Sequence, residues 1–327
     1  MTSSVTGART VASTHTAFVA APPRAVFRMI AEATLWPYLF PAIVHVERLA
    51  GGVAEERLRL WTVNNGAVGN WVSRRSLDRE GLRIRFRQES PLPPVASMSG
   101  EWVFVPLPGN ATSVVLLHEF QAIGDDPAGT MLIKQAVDRN STAELSALRS
   151  TAELGDRLAT LVHSFSETVT IDAPLEPVYD FLHRAGEWPR QLPHVSRLVV
   201  DEAVPNVQTI EMDTGDAEGR PLTTEMVRVC FPYHTIVYKQ TRPPETMATH
   251  VGRWQLHPTA EGLRVTAHNT VLMRPGRDDP HRPEVREQVG EAIRQGLRRN
   301  CLATLLRAKE TTEGTVPPEG ERADTVR

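Results

Sequence analysis

Residues 169–198 read V-T-I-D-A-P-L-E-P-V-Y-D-F-L-H-R-A-G-E-W-P-R-Q-L-P-H-V-S-R-L, and they echo residues 18–49, F-V-A-A-P-P-R-A-V-F-R-M-I-A-E-A-T-L-W-P-Y-L-F-P-A-I-V-H-V-E-R-L. Ala21-Pro22 matches Ala173-Pro174, Val26-Phe27 matches Val178-Tyr179, and Trp36-Pro37 matches Trp188-Pro189, each 152 residues on. The same spacing relates Ile84, Gln88 and Trp102 to Ile236, Gln240 and Trp254, whereas Arg139-Asn140 meets Arg299-Asn300 at 160. A few inserted residues therefore separate matching positions of two copies of one fold. Self-similarity of this kind settles the architecture before any single element is assigned. The 327 residues divide into a first domain, 1–155, and a second, 156–327, each long enough to bury its own core.

Within the first copy, residues 15–21 are extended in character. Pro22-Pro23 then opens a helical run in which Val26, Phe27 and Ile30 share a face. Trp36-Pro37 starts a second short helix or turn. Six strand-like runs follow, at 43–49, 55–62, 69–77, 82–89, 97–105 and 113–122. Asn64-Asn65-Gly66, Arg79-Glu80-Gly81 and Pro108-Gly109-Asn110 supply hairpin turns between them. A helical stretch runs from 127 to 161, weakened near Gly155. In the last helix of the chain, Val289, Ile293, Leu297, Leu302, Leu305 and Leu306 form the expected apolar stripe. The pattern predicts an α+β fold: twice over, a curved antiparallel sheet wrapped on a long C-terminal helix, with an elongated cavity at one end.

Composition narrows the function. A net charge of −3 and a pI near 6.4 leave no electrostatic footprint for nucleic acid. No apolar run approaches the ~20 residues of a membrane span, and the N-terminus lacks a signal-peptide core. The expectation is a cytoplasmic protein with Cys230 and Cys301 as buried thiols. There is no H-x-H, H-E-x-x-H or paired-Cys motif, no nucleophile elbow, no dinucleotide fingerprint and no P-loop. Neither a metal nor a cofactor is expected. The first dozen residues and the Pro/Gly/Glu-rich tail beyond Lys309 are expected to be disordered.

Chemistry concentrates in Trp71-Val72-Ser73-Arg74-Arg75. On a strand, Trp71, Ser73 and Arg75 share one face: an aromatic wall, a hydroxyl and a permanently charged planar donor. Inside a hydrophobic cavity this set would hold carbonyl or enolate oxygens. On a solvated strand, Arg75 would be a surface residue and Trp71 core.

Both halves resemble the START/Bet v 1-like helix-grip superfamily, and specifically the di-domain aromatase/cyclases of bacterial type II polyketide synthases. The resemblance rests on Ala-Pro before the first helix, the Trp36-Pro37 segment, W-x-S-x-R feeding residues 82–88, and the duplication. It implies a cofactor-independent enzyme that folds a poly-β-ketone tethered by phosphopantetheine to an acyl carrier protein. Such an enzyme closes the first ring by aldol addition (C7–C12 in type) and dehydrates it to an aromatic ring. Carrier protein and other synthase components are then the partners. By that resemblance Arg75 anchors a carbonyl and its enolate, Ser73 donates or relays a proton, and Tyr38 is the second hydroxyl. Trp36, Trp61, Trp71, Phe86 and Trp102 would wall the polyketone, with His118 as a cavity-facing acid or base.

In the second copy, Trp71, Ser73 and Arg75 become Thr223, Glu225 and Val227 at the 152 spacing, and Arg228 stands one residue out of phase. A β-bulge would restore it and gather Arg228 with Trp188, Tyr238, Trp254 and His268 in a second polar pocket. Arg83, Arg85 and Arg87 alternate on the opposite face of their strand, either as a solvated surface or as a strip for an acidic carrier. Two further readings remain: a non-catalytic carrier of hydrophobic ligands, and an interaction module of the synthase.

Overall fold

The computed structural model describes residues 9–64, 66–215, 221–275 and 283–313. The contact pattern divides the chain after Leu161. The first unit runs β1 (Val11–Val19), α1 (Pro23–Ala31), a 3₁₀ turn, α2 (Trp36–Leu39), β2 (Ile43–Gly51), β3 (Glu55–Asn64), β4 (Ala67–Asp78), β5 (Arg83–Gln88), β6 (Val95–Leu107), β7 (Ala111–Ala122), α3 (Pro127–Ala152) and α4 (Leu158–Leu161). The second repeats the order with β8 (Val162–Ile171), α5 (Leu175–His183), α6 (Trp188–Gln191), β9 (Val195–Val204), β10 (Val207–Gly215), β11 (Pro221–Phe231), β12 (Thr235–Arg242), β13 (Met247–Thr259), β14 (Gly262–Met273) and α7 (Pro283–Glu313). Each unit holds one seven-stranded antiparallel sheet, ordered β1-β7-β6-β5-β4-β3-β2 and β8-β14-β13-β12-β11-β10-β9. The expected tandem α+β helix-grip fold is what the chain adopts.

Local chemistry explains the boundaries. Proline at N1 starts α1, and Asp126 caps α3 by accepting from the Gly129 N–H at 2.7 Å. The helix stops short of Gly155, whose φ of +52° no L side chain takes readily. Gly109 and Asn110, both left-handed, turn β6 into β7. Every expected strand is present, generally a residue or two longer than its hydrophobic run.

Three expectations shift. Val11 and Ala12 pair with Phe120 and Glu119 in β1, so order begins earlier than the composition suggested. The last helix continues to Glu313, where the Glu313 carboxylate accepts from Asp172 N–H and Lys309; residues 1–8 and 314–327 lie outside the described residues. In α7 the buried stripe is Cys301, Thr304, Leu305, Ala308 and Thr312, while Val289, Leu302 and Leu306 are exposed. A stripe recurring every three to four residues cannot also carry 302 and 306, and the small polar members hid it from a purely apolar search. No helix among the described residues is long and apolar enough to cross a membrane.

One packing device recurs in both sheets. Phe86 of β5 lies opposite Gly100 of β6, and Tyr238 of β12 lies opposite Gly252 of β13. A Cβ on either glycine would collide with the neighbouring ring. Glycine is thus required for an aromatic side chain to lie flat across the inner face. Gly100→Ala is expected to lose roughly 1–3 kcal/mol of stability by overpacking, read as a lower midpoint in chemical denaturation.

Candidate functional site

The inner face of the first sheet, α2 and the mid-part of α3 enclose a cavity of about 500 Å³. Alternation along the strands decides what faces it. Leu58, Leu60 and Thr62 of β3, and Trp71, Ser73 and Arg75 of β4, all line it. So do Trp36, Phe86, Trp102 and His118, as the sequence led us to expect. Leu92 and Leu132 line it while remaining exposed, placing the mouth between the β5–β6 loop and α3.

Two expected members are elsewhere. Trp61 alternates with Leu60 and Thr62, so it faces the other side of β3, against His45 at 5.2 Å and Arg59 at 5.9 Å. Tyr38 is half-buried on α2 and is not part of the lining. The period of 2 separates Trp61 from the cavity, and the single turn of α2 carries Trp36 inward with Tyr38 off to the side.

Arg75 is 2 % exposed and its partners are specific. Nε donates to Glu56 Oε1 at 2.9 Å, Nη1 to Ile30 O at 2.8 Å and Nη2 to Ala31 O at 2.7 Å, with a further Nη2 contact to Glu56. The guanidinium carbon Cζ lies over the Trp36 ring, 4.7 Å from its centre. Ile30 and Ala31 are the last residues of α1, whose final carbonyls have no helical partner. Arg75 therefore caps a helix and neutralises a buried carboxylate, and four of its five N–H groups are committed. Burial draws its pKa below the usual arginine value, against the opposing pull of Glu56. Ser73 donates to Arg87 O at 3.3 Å, a long bond that leaves its hydroxyl able to turn toward a ligand.

Two titratable groups complete the lining. His118, against the Phe86 ring at 5.4 Å, is held near pKa 4 by burial first and by His15 second, so it is neutral at physiological pH. Glu144, from α3, is pushed up to about 7 by burial. Sequence reading missed Glu144. The signal was present: Ile133, Val137, Leu145 and Leu148 form the buried stripe of α3, and Glu144 stands beside it where a neutral residue would be expected. No group of three or more His, Cys, Asp or Glu side chains suited to a metal ion occurs among the described residues.

The second copy repeats the arginine. The bulge expected in β11 is not what restores the phase: β11 pairs with β10 without a shift from Val229 to Pro221, and the register shift between Glu225 and Met226 skips Thr241 of β12. One more residue separates Gln208 from Arg228 than separates Glu56 from Arg75, so that Arg228 stands opposite Gln208 and Tyr238, as Arg75 stands opposite Glu56 and Phe86. Arg228 Nη2 donates to Leu182 O at 2.6 Å and lies 5.4 Å from the Trp188 ring, which itself packs against Trp254 at 6.3 Å. Trp188, Arg228, Tyr238 and Trp254 thus share one interior. His268 does not: it faces the outer side of β14 and pairs with Ser166 at 2.7 Å, while its neighbour Asn269 points inward. One residue of phase separates the two.

The family description polyketide cyclase/dehydrase and lipid transport matches residues 10–153 and again 162–305. The granaticin polyketide synthase bifunctional cyclase/dehydratase of Streptomyces violaceoruber is 40% identical over 92% of this chain and 94% of its own. The corresponding actinorhodin protein of Streptomyces coelicolor is 36% identical over 90% and 94%. Among solved structures, the di-domain ARO/CYC of the BE-7585A biosynthetic pathway superposes with a TM-score of 0.82 at 41% identity, over 94% of this chain and 100% of that one. That of the steffimycin pathway gives 0.80 at 32%, over 92% and 98%.

Arg75→Ala strands Glu56 in the interior. It is expected to cost about 3–5 kcal/mol and to lower the melting temperature visibly. The pair exchange Arg75→Met with Glu56→Leu should recover the share due to the stranded carboxylate, as double-mutant denaturation would report, while the share due to the uncapped Ile30 and Ala31 carbonyls stays lost.

Proposed function

The chain belongs to the polyketide cyclase/dehydrase family, and from that premise we propose that its first copy takes a carrier-tethered poly-β-ketone into the 500 Å³ cavity, closes the first ring by aldol addition of the C7–C12 type and dehydrates it. The observation that carries this reading is the lining itself: aromatic walls, one buried guanidinium, and a carboxyl poised near neutrality with no bulk charge around it. A methylene flanked by two carbonyls is already acidic, so ring closure needs a base, an oxyanion donor and a fixed fold of the chain.

Glu144 supplies the base. With a pKa of about 7 both its forms are populated near neutral pH. Its carboxylate takes the carbon-bound proton, and the enolate carbon bonds to the acceptor carbonyl carbon. The new alkoxide receives the proton back. In dehydration the same carboxyl removes a second carbon-bound proton and delivers it to the departing hydroxyl, so water leaves and the enzyme is unchanged. The remaining N–H of Arg75 and the Ser73 hydroxyl face the developing oxyanion. Neutral His118 offers a hydrogen bond to a carbonyl without placing a second charge in the cavity. Trp36, Trp71, Phe86 and Trp102 restrict how the polyketone coils. Tyr38, outside the lining, is given no role.

The partner that brings such a substrate is an acyl carrier protein, whose flexible arm suits the open mouth at Leu92 and Leu132. Arg83 and Arg85 are tied to Glu101 at 3.2 and 3.0 Å and belong to a solvated outer face; Arg87 stands exposed beside them. The reaction is tested by product analysis with a minimal synthase, with and without ketoreductase. The expected result is a first-ring aromatic product that requires this protein. Unchanged shunt products, together with binding of hydrophobic dyes, would indicate a carrier instead.

The pH dependence has a definite sign. Ring closure should rise with pH through about 7 as Glu144 ionises. Glu144→Gln should remove that limb and lower the rate by roughly 10²–10⁴-fold, as a pH–rate profile would show. Because its folded pKa lies above the unfolded value, Glu144 stabilises the fold below the ordinary carboxylate pKa, and that contribution is lost as pH rises through 7.

A further inference from the structure

Register makes the two interiors comparable position by position. Phe86, Gly100 and His118 stand side by side across β5, β6 and β7; Tyr238, Gly252 and Asn269 do so across β12, β13 and β14. By the same alignment Trp71 corresponds to Thr224 and Gln88 to Gln240. The helix offset of 160 relates Ser141 to Cys301 and Glu144 to Thr304.

Ser141 and Cys301 are both buried, but five of the cavity-facing positions are open in one copy and shut in the other. Trp71, Phe86, Gln88, His118 and Glu144 all keep surface exposed, and all line the cavity. Thr224, Tyr238, Gln240, Asn269 and Thr304 are all buried. The reason is a hydrogen-bonded cluster with Asn269 at its centre. Its Oδ1 accepts from the Tyr238 hydroxyl at 2.5 Å and lies 2.9 Å from His250 Nε2; its Nδ2 donates to Cys301 Sγ at 3.3 Å. Since Oδ1 can only accept, Nε2 carries the imidazole proton. Strands β12, β13 and β14 are thereby tied to each other and to α7 through the middle of the domain. In the first copy Phe86 has no hydroxyl and Met98 replaces His250, so the equivalent bonds cannot form.

We propose that the second copy is a closed partner, its interior clamped by Asn269 between Tyr238, His250 and Cys301, so that the polyketone is bound and transformed in the first copy alone. This rests on the reading of the first cavity given above. Thr304 in place of Glu144 supports it from the chemical side: its hydroxyl is folded back onto Asn300 O at 2.9 Å, and the titratable group that would do the proton transfer is missing. Arg228 persists because it caps α5, a structural task common to both copies.

The test uses the full chain and 1-naphthol as probe, with stoichiometry from calorimetry, melting temperature, and turnover with the minimal synthase. Wild-type protein should bind one equivalent, and Ala136→Trp, at the first cavity, none. Asn269→Ala should melt lower, gain a second binding site and keep turnover within twofold. Should it fail to fold, Cys301→Ala, which removes only the sulfur acceptor, carries the same readouts. Two sites in the wild type, or one remaining in Ala136→Trp, would overturn the proposal. So would a tenfold loss of turnover in Asn269→Ala at unchanged melting temperature, because the cluster would then be doing chemistry. A wild type that binds nothing would count against the first-cavity reading, while the site gained or not gained in Asn269→Ala would still decide the clamp.

Discussion

A guanidinium set against the last turn of a helix is the contact on which both copies are built. Arg75 reaches from the middle of its sheet to the terminal carbonyls of α1 and stacks on Trp36; Arg228 does the same with Leu182 O and Trp188. Few side chains meet the requirement. The group must span the gap, donate in several directions at once, present a flat face to an indole and remain charged where burial disfavours charge. The tryptophans reinforce it, donating from Nε1 to Ile30 O at 3.2 Å and to Phe181 O at 3.1 Å. Helix, short second helix and sheet thereby meet at one polar knot. The knot fixes the floor of the interior, whatever side chains later fill it.

The copies part company around that knot. In the first, Glu56 neutralises the arginine within the protein and a second arginine, Arg48, shares it at 2.9 Å. In the second, Gln208 stands there and spends its amide on His183 O and Glu202. An ion pair buried this completely contributes little net stability, yet breaking it by removing one member is costly. Exchange of Glu for Gln is therefore tolerable only with other changes nearby, and Tyr179, His183 and Cys230 are such changes. Duplication preserved the frame and released the lining.

The frame was legible in the sequence because its determinants are local: prolines at helix starts, left-handed turn residues, and strands that alternate. Trp71, Ser73 and Arg75 were found on one face by alternation alone. The same rule, applied with phase known, excludes Trp61 and His268, whose aromatic and titratable character had outweighed their parity. The role of Arg75 was not legible, since its partners Ile30, Ala31 and Glu56 are distant in sequence and two of them are backbone carbonyls. Glu144 escaped for a different reason. A helix that lines a cavity has an inner face that is partly polar, so a search for apolar stripes discards the residue that matters.

Charge placement in the first cavity then follows from one cause acting on two unlike groups. Desolvation favours the neutral form of each, which lowers the pKa of His118 and raises that of Glu144. The arginine, already paired with Glu56, adds no net charge. A neutral polyketone therefore enters without displacing an internal salt bridge, and the charge to be stabilised is the one that passes from the Glu144 carboxylate to the enolate oxygen. An unpaired arginine would bind the enolate more tightly but would also hold any anion that entered. A guanidinium with one N–H to spare donates to the oxyanion while the helix and Glu56 keep it in place, so the stabilisation is present in the transition state without reorganisation.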